Sequence, residues 1–155
     1  MVCSATKRSG FTLIELLLVV SIIGIISITS MPILMDSLTR NDVNTALTTA
    51  AQTARRAGLL SRAAEGDRQW GLHFENSLMA IFKCPASGLC AYAGRNVAET
   101  DYDEVFSISP EIIITGTTDY LFTKLSGLTT AGTTTFTSGS TAKILTININ
   151  GIVNY

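Results

Sequence analysis

Residues 7–35 read KRSGFTLIELLLVVSIIGIISITSMPILM. No charged residue falls between Glu15 and Asp36, so Leu16–Met35 is an apolar run of 20 residues. At ~1.5 Å of rise per residue, a helix of that length spans about 30 Å, the thickness of a bilayer's hydrocarbon core. Lys7 and Arg8 stand upstream with no acidic residue before Glu15, while Asp36, Arg40 and Asp42 follow. The positive-inside rule places residues 1–10 in the cytoplasm and the chain beyond about residue 36 outside it.

Three readings of this segment compete. A secretory signal peptide has an apolar stretch of about 7–15 residues and a small-residue cleavage site; this run is longer and has Glu15 at its cytoplasmic mouth. A plain single-pass anchor explains length and orientation. It leaves Glu15 unexplained, although an unpaired carboxylate costs about 2.5–3.5 kcal/mol at mid-bilayer and less near the interface. An ionisable residue in such a segment calls for a partner.

The third reading names one. Gly10-Phe11-Thr12-Leu13-Ile14-Glu15-Leu16-Leu17 resembles the leader junction of type IV pilins and type II secretion pseudopilins. There, a short basic leader ends in glycine before FTLIEL, and a proline follows about where Pro32 stands here. The resemblance implies cleavage between Gly10 and Phe11 by a membrane-bound prepilin peptidase, which would also N-methylate the new Phe11 amine. It further implies that Phe11 and Glu15 pair between subunits, setting the register as they leave the inner membrane for a filament through an assembly platform. Two physical points agree. Glycine opens the scissile backbone to close approach, and pairing an ammonium with a carboxylate beside lipid lowers the cost of burying either.

Outward from this segment, the composition bounds the rest. The 155 residues suffice for one ordinary domain. With 46% hydrophobic residues, 15% charged and a net charge of −1, the chain lacks the basic excess of a general nucleic-acid binder and the high charge of long disorder. Three cysteines exclude a disulfide-dense mini-domain.

Val43, Leu47, Ala50, Ala54 and Ala57 recur at steps of four and three, the stripe of an amphipathic helix. Its alanines suit close packing on a sheet. The spacing predicts one helix from about Phe11 to about Ala64, with bending at Gly24 and Pro32 and Gly66 as a left-handed C-cap. Beyond Asp67 the period becomes two. Trp70, Leu72 and Phe74 alternate with Gly71, His73 and Glu75, and Asn76-Ser77 turns the chain into Leu78–Lys83. Further strands are expected over 104–108, 111–115, 120–123, 133–137, 143–148 and 152–155, with Asn150-Gly151 as a two-residue hairpin turn. The expected class is α+β, the pilin fold: leader 1–10, membrane and assembly helix 11–35, amphipathic half 36–66, antiparallel β-domain 67–155. Gln69–Phe74, Val105–Gly116 and Ile144–Tyr155 are similar to minor pilins and pseudopilins of the GspH/FimT type. Some of these bind DNA through a basic C-terminal tail, but Gly151–Tyr155 carries neither Arg nor Lys.

Outside the cytoplasm Cys84 and Cys90 are expected to form a disulfide, with free thiols as the alternative; Cys3 leaves with the leader. Arg55, Arg56, Arg62 and Arg68 form the basic cluster, and Arg55 and Arg62 share a helix face. Cations near a helix C-terminus ordinarily offset its dipole; nucleic-acid contact through Arg55 and Arg62 is the minor alternative. Asp101, Asp103, Glu104 and Asp119 could offer oxygens to calcium, but an acidic solvated turn is the plainer reading. A single histidine, His73, argues against zinc and reads as an exposed sheet residue. No Walker A, HExxH, GxSxG or CxxC motif occurs, so neither a catalytic residue nor a metal or cofactor is expected. The expected role is a structural subunit, pilin or pseudopilin, whose alternative is a DNA-uptake or adhesive subunit on the same scaffold.

Overall fold

Thr12 starts the helix. Its hydroxyl accepts from the Glu15 amide at 3.3 Å, the N-cap bond that satisfies one of the donors a first turn leaves open. Helix α1 runs Leu13–Arg62, unbroken at Gly24 and Pro32. The structure is a computed structural model describing residues 10–86, 89–93 and 97–155, without the side chains of 28–36 and 97–99. The expected leader, including Cys3, lies outside the described residues, as does the Pro32 side chain. The chain divides into two units, residues to Ser37 and Leu38–Tyr155, each taken by itself below.

In the first unit the described segment is helical from Leu13. Its large apolar side chains are all open, from Phe11 at 85% to Val19 and Ile22 at 48%. The hydroxyls of Ser21 and Ser27 donate to the carbonyls of Leu17 and Ile23, each at 2.7 Å. Such back-bonding satisfies a hydroxyl within its own helix. Among the described residues, no helix is long and apolar enough to cross a membrane; the run Leu16–Met35 extends into 28–36, whose side chains lie outside them.

The second unit is built on two four-stranded antiparallel sheets. Its strands are β1 Trp70–Glu75, β2 Leu78–Lys83, β3 Glu104–Ser107, β4 Ile113–Gly116, β5 Asp119–Phe122, β6 Gly132–Ser138, β7 Thr141–Ile147 and β8 Val153–Asn154. The sheet orders are β3-β2-β1-β5 and β4-β6-β7-β8. The first hairpin has the expected bounds, with Leu72 opposite Ile81 and Phe74 opposite Met79. The later strands shift by one or two residues at their ends.

The alanine stripe is the helix face of the core. Val43, Ala46, Leu47, Ala50, Ala51, Ala54 and Ala57 are buried in one cluster with Trp70, Leu72, Phe74, Ile81, Tyr120, Phe122, Phe136 and Leu145. Phe74 meets Tyr120 and Phe136 edge to face, at 6.0 and 5.7 Å between centroids, the arrangement the ring quadrupoles favour. Tyr120 can be buried because its hydroxyl lies 3.0 Å from that of Thr134, which donates to the Thr117 carbonyl. Burial without partners would cost more than the packing returns.

Two turns differ from expectation. The helix ends in a left-handed Ala64 (φ 49°, ψ 39°), not at Gly66, which is also left-handed but lies two residues further on. At the last hairpin the Gly151 amide donates to the Asn148 carbonyl at 2.9 Å, so the turn centres on Ile149-Asn150 rather than Asn150-Gly151. Asn148 explains the shift: its Oδ1 accepts from the amides of Asn150 (3.0 Å) and Ile152 (2.9 Å). Gly151 supplies the positive φ of 72° at the re-entry, which only glycine adopts without cost.

Candidate functional site

The segment Gly10–Glu15 is fully open in the chain. Gly10 is exposed, precedes the helix, and has nothing within 4 Å of where a side chain would stand. Phe11 is 85% exposed. Glu15 lies in the first turn of α1, where a carboxylate faces the positive end of the helix dipole. Thr12 is the residue that sequence reasoning passed over. Thr12-Leu13-Ile14-Glu15 has the spacing of a capping box, a signal legible without a structure. Phe11 and Glu15 are thus presented at a capped helix start.

Four other candidate groups lie in the second unit. The arginines divide among separate tasks. Arg56 grips Glu104 with two bonds, Nε at 2.6 Å and an Nη at 2.5 Å, and this partner raises the guanidinium pKa further. Arg55 stands over the Tyr155 ring, 5.5 Å from its centroid. Arg62 donates to the Asn150 carbonyl at 3.1 Å. The pair singled out for nucleic acid therefore clasps the C-terminal hairpin. The clasp becomes legible only in three dimensions, since its partners lie about 90–100 residues away in sequence.

The acidic residues are dispersed in the same way. Glu104 serves Arg56, and Asp119 Oδ1 lies 2.8 Å from Nδ1 of His73 while Oδ2 accepts from the Thr118 hydroxyl. Among the described residues, no three of His, Cys, Asp and Glu gather as a metal site.

Cys84 and Cys90 are joined in a disulfide, their Cα atoms 5.1 Å apart. The segment that follows lays Tyr92 on the face of the first sheet away from the helix. Its ring stacks on His73, 4.3 Å between centroids and 9° from parallel, and meets Phe82 edge-on at 5.6 Å. This corrects the expectation for His73: it is on the face opposite Trp70 and Phe74, but its side chain is only 16% exposed. It borders a cleft of about 530 Å³ with Glu75, Asn76 and Thr118. The Thr118 hydroxyl bonds Asp119 rather than the imidazole, which leaves the pair without the nucleophile–base bond of a catalytic triad.

A further polar residue was not legible in the sequence. Ser61, fully buried, donates its hydroxyl to the Phe122 carbonyl and accepts from the Trp70 amide, both at 2.8 Å. It ties the end of α1 to β5 and β1 at once.

Residues 5–31 match the family described as the prokaryotic N-terminal methylation motif. The match spans the Gly10–Glu15 junction and most of the apolar run, so the chain carries a type IV pilin-like leader. No curated protein and no solved structure matches the chain.

Proposed function

We propose that this chain is a structural subunit, a minor pilin or pseudopilin of the GspH/FimT type, made as a precursor and assembled into a type IV pilus or a type II secretion pseudopilus. One observation carries the reading: within the stretch that matches the methylation motif, every large described apolar side chain, from Phe11 to Ile26, is open. Such a surface must be covered by lipid or by other helices. In the proposed sequence of events, the run Leu16–Met35 first holds the chain in the bacterial inner membrane as a single pass, with residues 36–155 outside the cytoplasm. The prepilin peptidase removes residues 1–10 and methylates Phe11. Neighbouring subunits then replace lipid around the helix, while Phe11 and Glu15 set the register. The only chemistry in this scheme is done to the chain, which needs no catalytic group of its own.

The alternative, a DNA-uptake or adhesive subunit, draws no support from Arg55 and Arg62, which are engaged by Tyr155 and Asn150. Mass spectrometry of the mature N-terminus tests the proposal. An N-methylated Phe11 is expected; an intact Met1 in the membrane-extracted protein overturns it. Isolating filaments and asking whether the chain is incorporated then separates subunit from anchor.

A further inference from the structure

We propose that a groove in the second unit, between the helix at Arg40 and Asn44 and the β6–β7 turn, binds the phosphate of a phospholipid headgroup. The inference rests on the membrane reading above for the source of its ligand, and on the second unit alone for its geometry.

The groove has a volume of about 350 Å³ and is lined by Arg40, Asn44, Ser140, Thr141, Ala142 and Lys143. Among the described residues that line it are two cations, two hydroxyls and an amide. Guanidinium, ammonium and hydroxyl donors on one concave surface form a site for a tetrahedral oxyanion.

The position of these groups in the fold is what makes them informative. Along β7, Leu145 and Ile147 are fully buried in the core, and side chains two apart share a face. Thr141 and Lys143 therefore continue the core-facing row, at the place where an apolar pair would be expected to go on closing the helix against the sheet. On the helix, Arg40 and Asn44 lie four apart, and Val43 and Leu47 beside them are buried. The helix–sheet seam thus changes from apolar to cationic at this one end. A lysine and an arginine facing the same gap attract an anion into it.

The turn holds its groups in place. Ser138 pairs with Thr141, so Gly139-Ser140 is a two-residue hairpin turn, and Gly139 has the positive φ of 55° such turns need. The Thr39 methyl lies 3.8 Å from where a Gly139 side chain would stand, which seats the turn against the helix.

The chain itself indicates the source of the phosphate. Arg40 follows the apolar run's last residue, Met35, by only five positions. A cation so close to the exported end runs against the usual bias, which concentrates Lys and Arg on the cytoplasmic side. Headgroup phosphates are the anions abundant at that depth.

Native mass spectrometry of the full chain in dodecyl maltoside tests this, with dioleoylphosphatidylglycerol, dioleoylglycerol and inorganic phosphate as parallel probes. One phosphatidylglycerol per chain is expected to be retained, roughly tenfold more weakly by an Arg40→Gln/Lys143→Gln variant, while Lys143→Arg keeps the affinity. Equal retention of dioleoylglycerol, or no loss in the double variant, overturns the site. Variant-sensitive binding of inorganic phosphate without retention of the phospholipid overturns the lipid source. The same spectra report the N-terminal mass, so methylated Phe11 with variant-insensitive lipid binding sinks this inference and spares the functional reading. An intact Met1 with variant-sensitive binding does the reverse.

Discussion

The Tyr92 ring lies flat on the His73 imidazole, 4.3 Å between centroids, and turns its edge to Phe82 at 5.6 Å. This aromatic residue from the segment after the disulfide therefore forms part of a roof over the outer face of the first sheet. Phe82, which it meets, is fully buried, although its side chain points away from the helix. Tyr92→Ala is expected to lower stability by about 1–2 kcal/mol, the worth of an aromatic pair plus its burial. Tyr92→Phe keeps the ring and is expected to lose less than Tyr92→Ala. Urea unfolding read by the single Trp70 compares them; equal stability of the alanine variant and the parent would refute the roof.

The disulfide holds that roof at its root. Cys84 closes a loop of sequence separation 6 with Cys90, and chain entropy assigns so short a loop about 2 kcal/mol. Cys84→Ser/Cys90→Ser is expected to lose roughly that much. Thiol counting on the mature protein should find none before reduction and two after; two from the start would remove the bridge.

Gly71 stands directly across from Phe82. A side chain at position 71 would run into the Phe82 ring. Gly71→Val is expected to cost about 1–3 kcal/mol by overpacking and to be relieved by a second change, Phe82→Ala. Because Phe82→Ala itself opens a cavity, the check is a cycle: Gly71→Val should cost less in the Phe82→Ala background than in the parent, and equal costs contradict the clash.

Lys124 donates to Asp67, and this bond and charge hold the Asp67 carboxyl below the ordinary carboxylate range. The folded pKa is thus depressed relative to the unfolded chain. The contribution is present in full above the unfolded value of about 3.9 and is lost as pH falls through the lower folded value. Both groups are open to water and the effect is small. The urea midpoint should drop less between pH 6 and pH 3 in Lys124→Met than in the parent; equal drops would dismiss the pair.

Glu15 is the residue on which assembly is proposed to turn. Removing one member of a buried ion pair costs about 3–5 kcal/mol, so Glu15→Ala should reduce incorporation into filaments at least roughly tenfold. Cleavage after Gly10 should continue, because that site precedes the helix. Filament yield and N-terminal mass measured on one sample read both, and normal incorporation rules out the role.

Much of the fold was legible because it depends on local period. The alanine stripe from Val43 to Ala57 predicts the buried helix face, and the Trp70–Phe74 alternation predicts which side of β1 meets it. Both follow from 3.6- and 2-residue repeats that any short window contains. Turn details escaped because a side chain intervened: Asn148 moves the last hairpin turn one residue back by capping two amides. The left-handed geometry at Ala64 escaped because the sequence points to Gly66, the nearby residue that best tolerates it.

By itself the sequence determined the capped, apolar helix start, its methylation motif and the helix-then-strands order, because these are properties of neighbouring residues. Tertiary structure alone decided the partners of the long polar side chains. Arg55 and Arg62 could have formed a basic face, and Asp119 could have joined an acidic turn. Folding instead brought Tyr155, Asn150 and His73 to them from 46 to 100 positions away. A charged group's role depends on what comes within a few ångströms of it, and spacing along the chain does not record that distance.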